Sequence, residues 1–511
     1  GLLTESEKYF RKALKRMTWK NPNPYNSEAY YDLGLTLFYQ GRYEEAYDAF
    51  FKATWSNEQQ EMSFYFLAAI AARKGALPMA LELIEKGLVK NSHNIKARGL
   101  KAAILRKIGK REEAKRWIAE NLKVDPFDYV SGYEAILLAD DAEKTAKEQA
   151  LKGQMRNFPQ NFIQVAIDYR ESGCFEEAFG ILNLCDAQWP MLDYYRAACL
   201  HDLGREDEAK TAVKTADGVD PYCCFPNRLE DITVLQLAAK LQPELPKAYY
   251  YIGNLWYDKR QYEKAQEAWE NSAKLEDTYP TVLRNLSLVY YNQSDMPEKA
   301  KEVLEKAFAL DTADARIFLE LDQLYKKLGY SVEDRIAFYE KYPETFAKRD
   351  DVFIEYITMQ NFVGNHEKAY ELLMSRKFHP WEGGEGKATT QYTTSLVEQA
   401  KKAIAKEDFT GAKELLEKAL VYPENLGEGK LEGTKDNHIH YYLGLVEKAL
   451  GNEDRAKELF ATASTGTDEP AGMMFYNDQP ADMIMFQGMA LRELGALVAS
   501  NSRFYKLISY G

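Results

Sequence analysis

An alanine recurs at a fixed interval in this chain: Ala46, Ala80 and Ala114 lie 34 residues apart, each inside a similar run of small and apolar residues. Gly34 stands twelve residues before Ala46, Phe50 four after it and Ala53 seven after it; Ala68, Ile84 and Gly87 hold the same places around Ala80. Positions four and seven apart share one helix face, whereas the twelve-residue step crosses into a preceding helix. The repeating unit is therefore a pair of helices. Small residues at Gly34 and Ala46 let the two helices of a pair approach closely, and Phe50 or Ile84 fills the gap one turn further on. Such a pair cannot bury its apolar face alone, so it stacks on its neighbours. The pattern predicts an all-α chain, an α-α superhelix or solenoid of helical pairs.

The residues at these places resemble the tetratricopeptide repeat. One copy runs through Tyr30, Leu33, Gly34, Leu37, Ala46 and Phe50, a second through Tyr249, Ile252, Gly253, Trp256, Ala265 and Trp269, and a third through His440, Leu443, Gly444, Ala456, Phe460 and Ala463. Weaker copies centre on Ala178, Ala209, Ala300, Ala369 and Ala412, and Pro126, Pro159, Pro190 and Pro221 punctuate the array at intervals of 33, 31 and 31 residues. The resemblance implies a fold and is nearly silent about chemistry, because repeat scaffolds host many functions.

Composition agrees with a helical array, since 46% hydrophobic and 28% charged residues supply both a continuous core and a solvated face. A net charge of −13, with Lys and Arg interleaved among Asp and Glu, argues against nucleic acid or an anionic membrane as partner. No apolar stretch has the length of a transmembrane helix, and residues 1–20 lack the apolar core of a secretory signal. Cys174, Cys185, Cys199, Cys223 and Cys224 form neither a disulfide framework nor a Cys-x-x-Cys metal pattern, so free thiols and a reducing, cytoplasmic location are expected. Gly1, Ser6, Phe10 and Ala13 read as the second helix of a repeat whose first helix is missing, and Phe504, Leu507 and Tyr510 read as a second helix without a polar cap. The sequence thus reads as a piece of a larger protein.

Four stretches follow from the regularity of the pattern: a first array over 1–221, an irregular connection with a single helix over 222–245, a second array over 246–378, and repeats with long glycine-rich linkers over 379–511. In the last stretch two linkers rhyme. His379-Pro380-Trp381-Glu382-Gly383-Gly384-Glu385-Gly386-Lys387 and Tyr422-Pro423-Glu424-Asn425-Leu426-Gly427-Glu428-Gly429-Lys430 both carry Pro, Glu and then Gly-Glu-Gly-Lys, 43 residues apart. A third long linker runs from Thr465 through Tyr476, Asn477, Asp478, Gln479 and Pro480. Linkers between stacked pairs emerge along one edge, so the three are expected to be neighbours, and insertions on one edge often form a binding face.

The expected ligand-binding set is His379, Trp381, Glu382, Glu385, Glu424, Asn425, Glu428, His438, His440, Tyr476, Asn477 and Asp478. Aromatic faces and carboxylate acceptors suit the hydroxyls and C–H surface of a sugar. The same residues also fit a structural reading, in which the glycines and glutamates cap helices and Trp381 plugs the edge of the core. His438-x-His440 splays its side chains apart, so hydrogen bonding rather than metal binding is expected, and neither a cofactor nor catalysis is expected. A second candidate surface is a groove stripe of Lys247, Tyr250, Asn254 and Tyr257, continued by Asn285 and Asn292, whose amides and phenols suit an extended peptide.

The three linkers, with Asn23-Pro24-Tyr25-Asn26, resemble the C-terminal repeat region of a bacterial family that joins an uncharacterised, carbohydrate-enzyme-like β-sandwich domain to a tetratricopeptide array. That resemblance spans most of the chain and implies a missing N-terminal domain. Two functions are therefore expected: a non-catalytic scaffold binding a protein, a peptide or its own missing domain, and alternatively a repeat domain whose linkers complete a carbohydrate site of a larger enzyme.

Overall fold

The computed structural model describes residues 2–470 and 479–511. Among the described residues there are 29 α-helices, one short 3-10 turn at Glu424–Leu426, and no strand. Within each compact unit most helices pair antiparallel, first with second, and successive pairs pack on one another, as the 34-residue interval predicts. Two compact units are formed, Gly1–Met296 and Pro297–Gly511.

The packing inside a pair follows the small-residue rule of the sequence. A Cβ built on Gly34 would stand 2.7 Å from the ring of Phe50, one on Gly253 2.3 Å from Trp269, one on Gly444 2.5 Å from Phe460 and one on Gly488 2.6 Å from Phe504. Each glycine therefore lets a ring on the second helix lie directly on the backbone of the first. Ala46, Ala80 and Ala114 are fully buried where the two helices cross. Rings also join one pair to the next: Phe50 stacks on Phe66 with centroids 4.8 Å apart, a contact worth about 0.5–1.5 kcal/mol beyond its area.

Helix ends follow equally local rules. Pro159, Pro190, Pro246 and Pro280 each open a first helix, where their missing N–H costs nothing. Gly41, Gly75 and Gly109 end first helices with φ of 75°, 78° and 83°, a left-handed turn that admits glycine without strain. Arg260 and Glu407 make the same left-handed turn, at φ 57° and 64°.

Residues 129–156, which keep helical periodicity but lack the small-residue signature at most positions, form helices Tyr129–Leu137 and Asp141–Gln154. That signature is replaced by a buried charge. Glu134, fully buried, accepts from Arg106 Nε at 2.5 Å and from the Tyr169 hydroxyl at 2.9 Å, while Arg106 also reaches Glu177 at 2.7 Å. The segment 222–245 contributes one helix, Leu229–Leu241.

Two substitutions test this account by thermal denaturation. Gly253→Ala puts a methyl group into Trp269, whose indole is buried and held by its N–H on the Tyr250 carbonyl at 3.2 Å; a loss of about 1–3 kcal/mol is expected. Arg260→Gly relieves the left-handed strain, and a gain of about 0.5–1 kcal/mol is expected.

Candidate binding surfaces

The first two glycine-rich linkers lie side by side in the C-terminal unit. Phe378 donates its N–H to the Asn425 carbonyl at 2.8 Å, and the Asn425 side chain donates to the carbonyls of Leu373 and Arg376 at 2.9 and 3.0 Å. The Leu373 carbonyl is in the last turn of helix His366–Met374 and the Arg376 carbonyl just beyond it, so Asn425 satisfies groups the helix end leaves over. Gly427, at φ 77°, passes so near that a Cβ there would meet the Phe378 carbonyl oxygen at 2.5 Å. Glu428 then accepts from the Gly386 N–H at 2.9 and 3.1 Å, placing a carboxylate at the N-terminus of helix Lys387–Ala405.

The rhyming residues therefore do different work. Glu428 is a half-buried cap, whereas its counterpart Glu385 is exposed, as are Glu382 and Glu424. Trp381 lies flat on Gly384, where a Cβ would stand 2.0 Å from the indole, and is partly exposed. His379 is exposed and donates its backbone N–H to Asp350 at 2.8 Å, and Asp350 also pairs with Arg376. Lys430, the counterpart of Lys387, donates to the Leu420 carbonyl at 2.8 Å and pairs with Asp436 at 2.6 Å.

His438 and His440 begin the next first helix, Asn437–Ala449. Burial holds both imidazoles below the usual histidine range, which leaves them neutral, and their Nδ1 atoms are buried without a partner. Among the described residues no group of three or more His, Cys, Asp or Glu is placed to hold a metal. Tyr476, Asn477 and Asp478 fall outside the described residues. The flanks of the third linker do reach this edge: Asn437 donates to the Ala463 and Thr465 carbonyls at 2.8 and 2.9 Å and accepts from Gln479 at 3.4 Å.

The groove stripe lies in the N-terminal unit, on helices Pro246–Asp258 and Pro280–Asn292. Lys247 is drawn inward, its Nζ donating to the Asp217 carbonyl at 2.5 Å. Tyr250 is buried, with its ring edge-on to Tyr279 at 5.1 Å. Asn254 Oδ1 accepts from both Trp269 Nε1 and Asn285 Nδ2 at 3.0 Å. This joins adjacent first helices by a side-chain amide pair. Tyr257 is half-buried over Trp269, and Asn292 is exposed.

A further cluster was not anticipated from the sequence. Within the N-terminal unit, first helices of early and late repeats meet. The Tyr39 hydroxyl donates to Glu230 at 2.7 Å, the Tyr65 hydroxyl to Glu171 at 3.2 Å, and Arg73 Nη1 to the Arg170 carbonyl at 2.7 Å, across 191, 106 and 97 residues of chain. Lys96 pairs with Asp168 at 2.8 Å. Arg73 is sandwiched between the rings of Tyr43 and Phe175 at 4.4 and 5.0 Å. The space left between Tyr65, Lys96, Gly99, Asp168 and Tyr169 is about 10 Å³, room for one water and not for a peptide.

The linker geometry predicts that Gly427→Ala, strained at its φ and blocked by the Phe378 carbonyl, costs more than Glu428→Gln, which exchanges a charged cap for a neutral one at about 1 kcal/mol. Both are expected to speed protease cleavage within 379–387, Gly427→Ala the more.

Residues 27–60 match the tetratricopeptide repeat family. Among solved structures, the chain is similar to yeast Tom70, at 16% identity over 92% of this chain and 96% of that one, with a TM-score of 0.25. It is also similar to MamA of Desulfovibrio magneticus, at 19% identity over 38% of this chain and 97% of that one, TM-score 0.23. A thermophilic tetratricopeptide protein of Thermus thermophilus is similar at 18% identity over 40% and 98%, TM-score 0.23. Residues 27–60 thus form one tetratricopeptide repeat by the family match, and its glycine-on-ring pairing recurs in both units of an all-helical array of tetratricopeptide-like helical pairs.

Proposed function

We propose that this chain is a non-catalytic scaffold that binds a protein segment in extended form. The observation that carries this reading is the Asn254–Asn285 pair, which sets side-chain amides at 3.0 Å on two adjacent first helices, beside the half-buried Tyr257. Asn254 is half-buried and held in place by the buried Asn285; a carboxamide suits the donors and acceptors of an extended backbone, and a tyrosine supplies flat apolar area. The acidic net charge of −13 favours a basic segment. All five thiols are unpaired and four of them are buried, which supports a reducing compartment. No helix among the described residues is long and apolar enough to cross a membrane.

The alternative, a carbohydrate site completed by the linkers, draws support from the exposed Glu382, Glu385 and Glu424 beside the partly exposed Trp381. Asn425 and Glu428 are engaged in joining the linkers, which narrows that site to the outer residues.

Two assays separate these functions. For the scaffold, a library of extended basic peptides is expected to bind the chain, and Asn254→Ala with Tyr257→Ala to weaken that binding at least about tenfold with the thermal midpoint held within a few degrees. Unchanged peptide affinity in that variant removes the groove reading. For the alternative, glycan-array binding that is lost in Trp381→Ala and Glu385→Ala supports a sugar site, and an array without signal removes it.

A further inference from the structure

The cluster between early and late first helices of the N-terminal unit has an unequal balance of charge. Three carboxylates, Asp168, Glu171 and Glu230, face one ammonium, Lys96. Lys96 is committed to Asp168 at 2.8 Å. Glu230 accepts from the Tyr39 hydroxyl, and Glu171 accepts from the Tyr65 hydroxyl at 3.2 Å. Glu171 is 8% exposed. A buried carboxylate with one neutral donor and two carboxylates nearby is costly when charged and acceptable when protonated.

Besides Lys96, the titratable groups around Glu171 among the described residues are carboxyls and phenols. Helix Glu28–Tyr39 brings Tyr31, Asp32 and Tyr39, helix Asn57–Arg73 brings Glu61 and Tyr65, helix Ile95–Lys107 brings Lys96, helix Pro159–Glu171 brings Asp168, and helix Leu229–Leu241 brings Glu230. Burial first, then the neighbouring carboxylates, pushes Glu171 up to about 8 against the opposing pull of Lys96. Asp168 is also raised, again chiefly by burial.

We propose that Glu171 is the proton-operated part of a clasp, with Tyr65, Tyr39–Glu230 and Lys96–Asp168, that holds helices of early repeats against those of later ones in the N-terminal unit. In the closed state the space between Tyr65, Lys96, Asp168 and Tyr169 has room for one water. Arg73, whose contacts are a carbonyl and two rings, is the proton-independent part of the same junction. The clasp lies apart from the Asn254–Asn285 stripe and does not depend on which partner the stripe takes.

The direction of the pH effect follows from linkage. When the clasp opens, Glu171 returns to water and titrates near its ordinary value of 4.5, whereas in the closed clasp it holds its proton up to about 8. The closed state therefore binds more protons between these values. Its contribution is complete at acid pH and is lost as pH rises through that window, by about tenfold per pH unit, levelling above 8.

Hydrogen exchange of the full chain, corrected for intrinsic rates, tests this. Protection of helices Glu28–Tyr39 and Pro159–Glu171 is expected to fall about tenfold per pH unit between pH 6 and 8, while helix Asn437–Ala449 shows no such slope. Glu171→Gln, which places a neutral amide there, is expected to abolish the slope and stay protected at pH 8. Asp168→Asn frees Lys96 for Glu171 and is expected to move the fall to lower pH, a second readout should Glu171→Gln fold poorly. Flat protection in the unsubstituted chain, or the same slope in Glu171→Gln, overturns the proposal.

Discussion

A ring lying on a helix backbone is the contact from which this architecture is built. Gly34 with Phe50, Gly253 with Trp269, Gly444 with Phe460 and Gly488 with Phe504 are each 16 residues apart, and each contact sits where a first helix crosses its second. Removing the Cβ lets the crossing close up, and the large ring then fills what would otherwise be a gap between cylinders. Every other feature inherits its place from this crossing: the fully buried alanines at Ala46 and Ala80, the left-handed glycines that end the first helices, and the edge along which the linkers emerge.

That contact is local, which is why it was legible. Sixteen residues of sequence contain both partners, and a 34-residue interval repeats them, so pairing could be inferred without knowledge of long-range structure. In residues 129–156, by contrast, the Arg106–Glu134–Tyr169 network takes the place of the small residues, and no local pattern announces it. Arg106 and Tyr169 are 63 residues apart in the chain and neither falls at a marked position. The contacts of Tyr39, Tyr65 and Arg73 were hidden for the same reason, spanning 97–191 residues that no periodicity connects.

The linkers show a different limit. Their rhyme correctly suggested a relation, and the first two do touch, yet identical residues took unlike places. Glu428 turns inward to the Gly386 amide while Glu385 faces solvent. Lys430 is held by a carbonyl and Asp436, and Asn425, which looks in sequence like a surface amide, ties off the end of a helix. A motif conveys which groups are available; which of them a neighbouring backbone consumes is decided by the fold. The groove stripe behaves alike, with Lys247 and Tyr250 spent on packing and Tyr257 and Asn292 left towards solvent.

The inward turn of Glu428 bears on how the C-terminal unit comes apart. In a plain helical array each pair is held by its neighbours' stacking alone, so pairs fray from an end one at a time. Here the linker that follows helix Phe409–Ala419 reaches back to both the end of helix His366–Met374 and the start of helix Lys387–Ala405. Melting any one of these elements strands the hydrogen-bonding groups of the others. The span from His366 to Lys430 is accordingly expected to open as one cooperative block, a foldon larger than the repeat from which it was assembled.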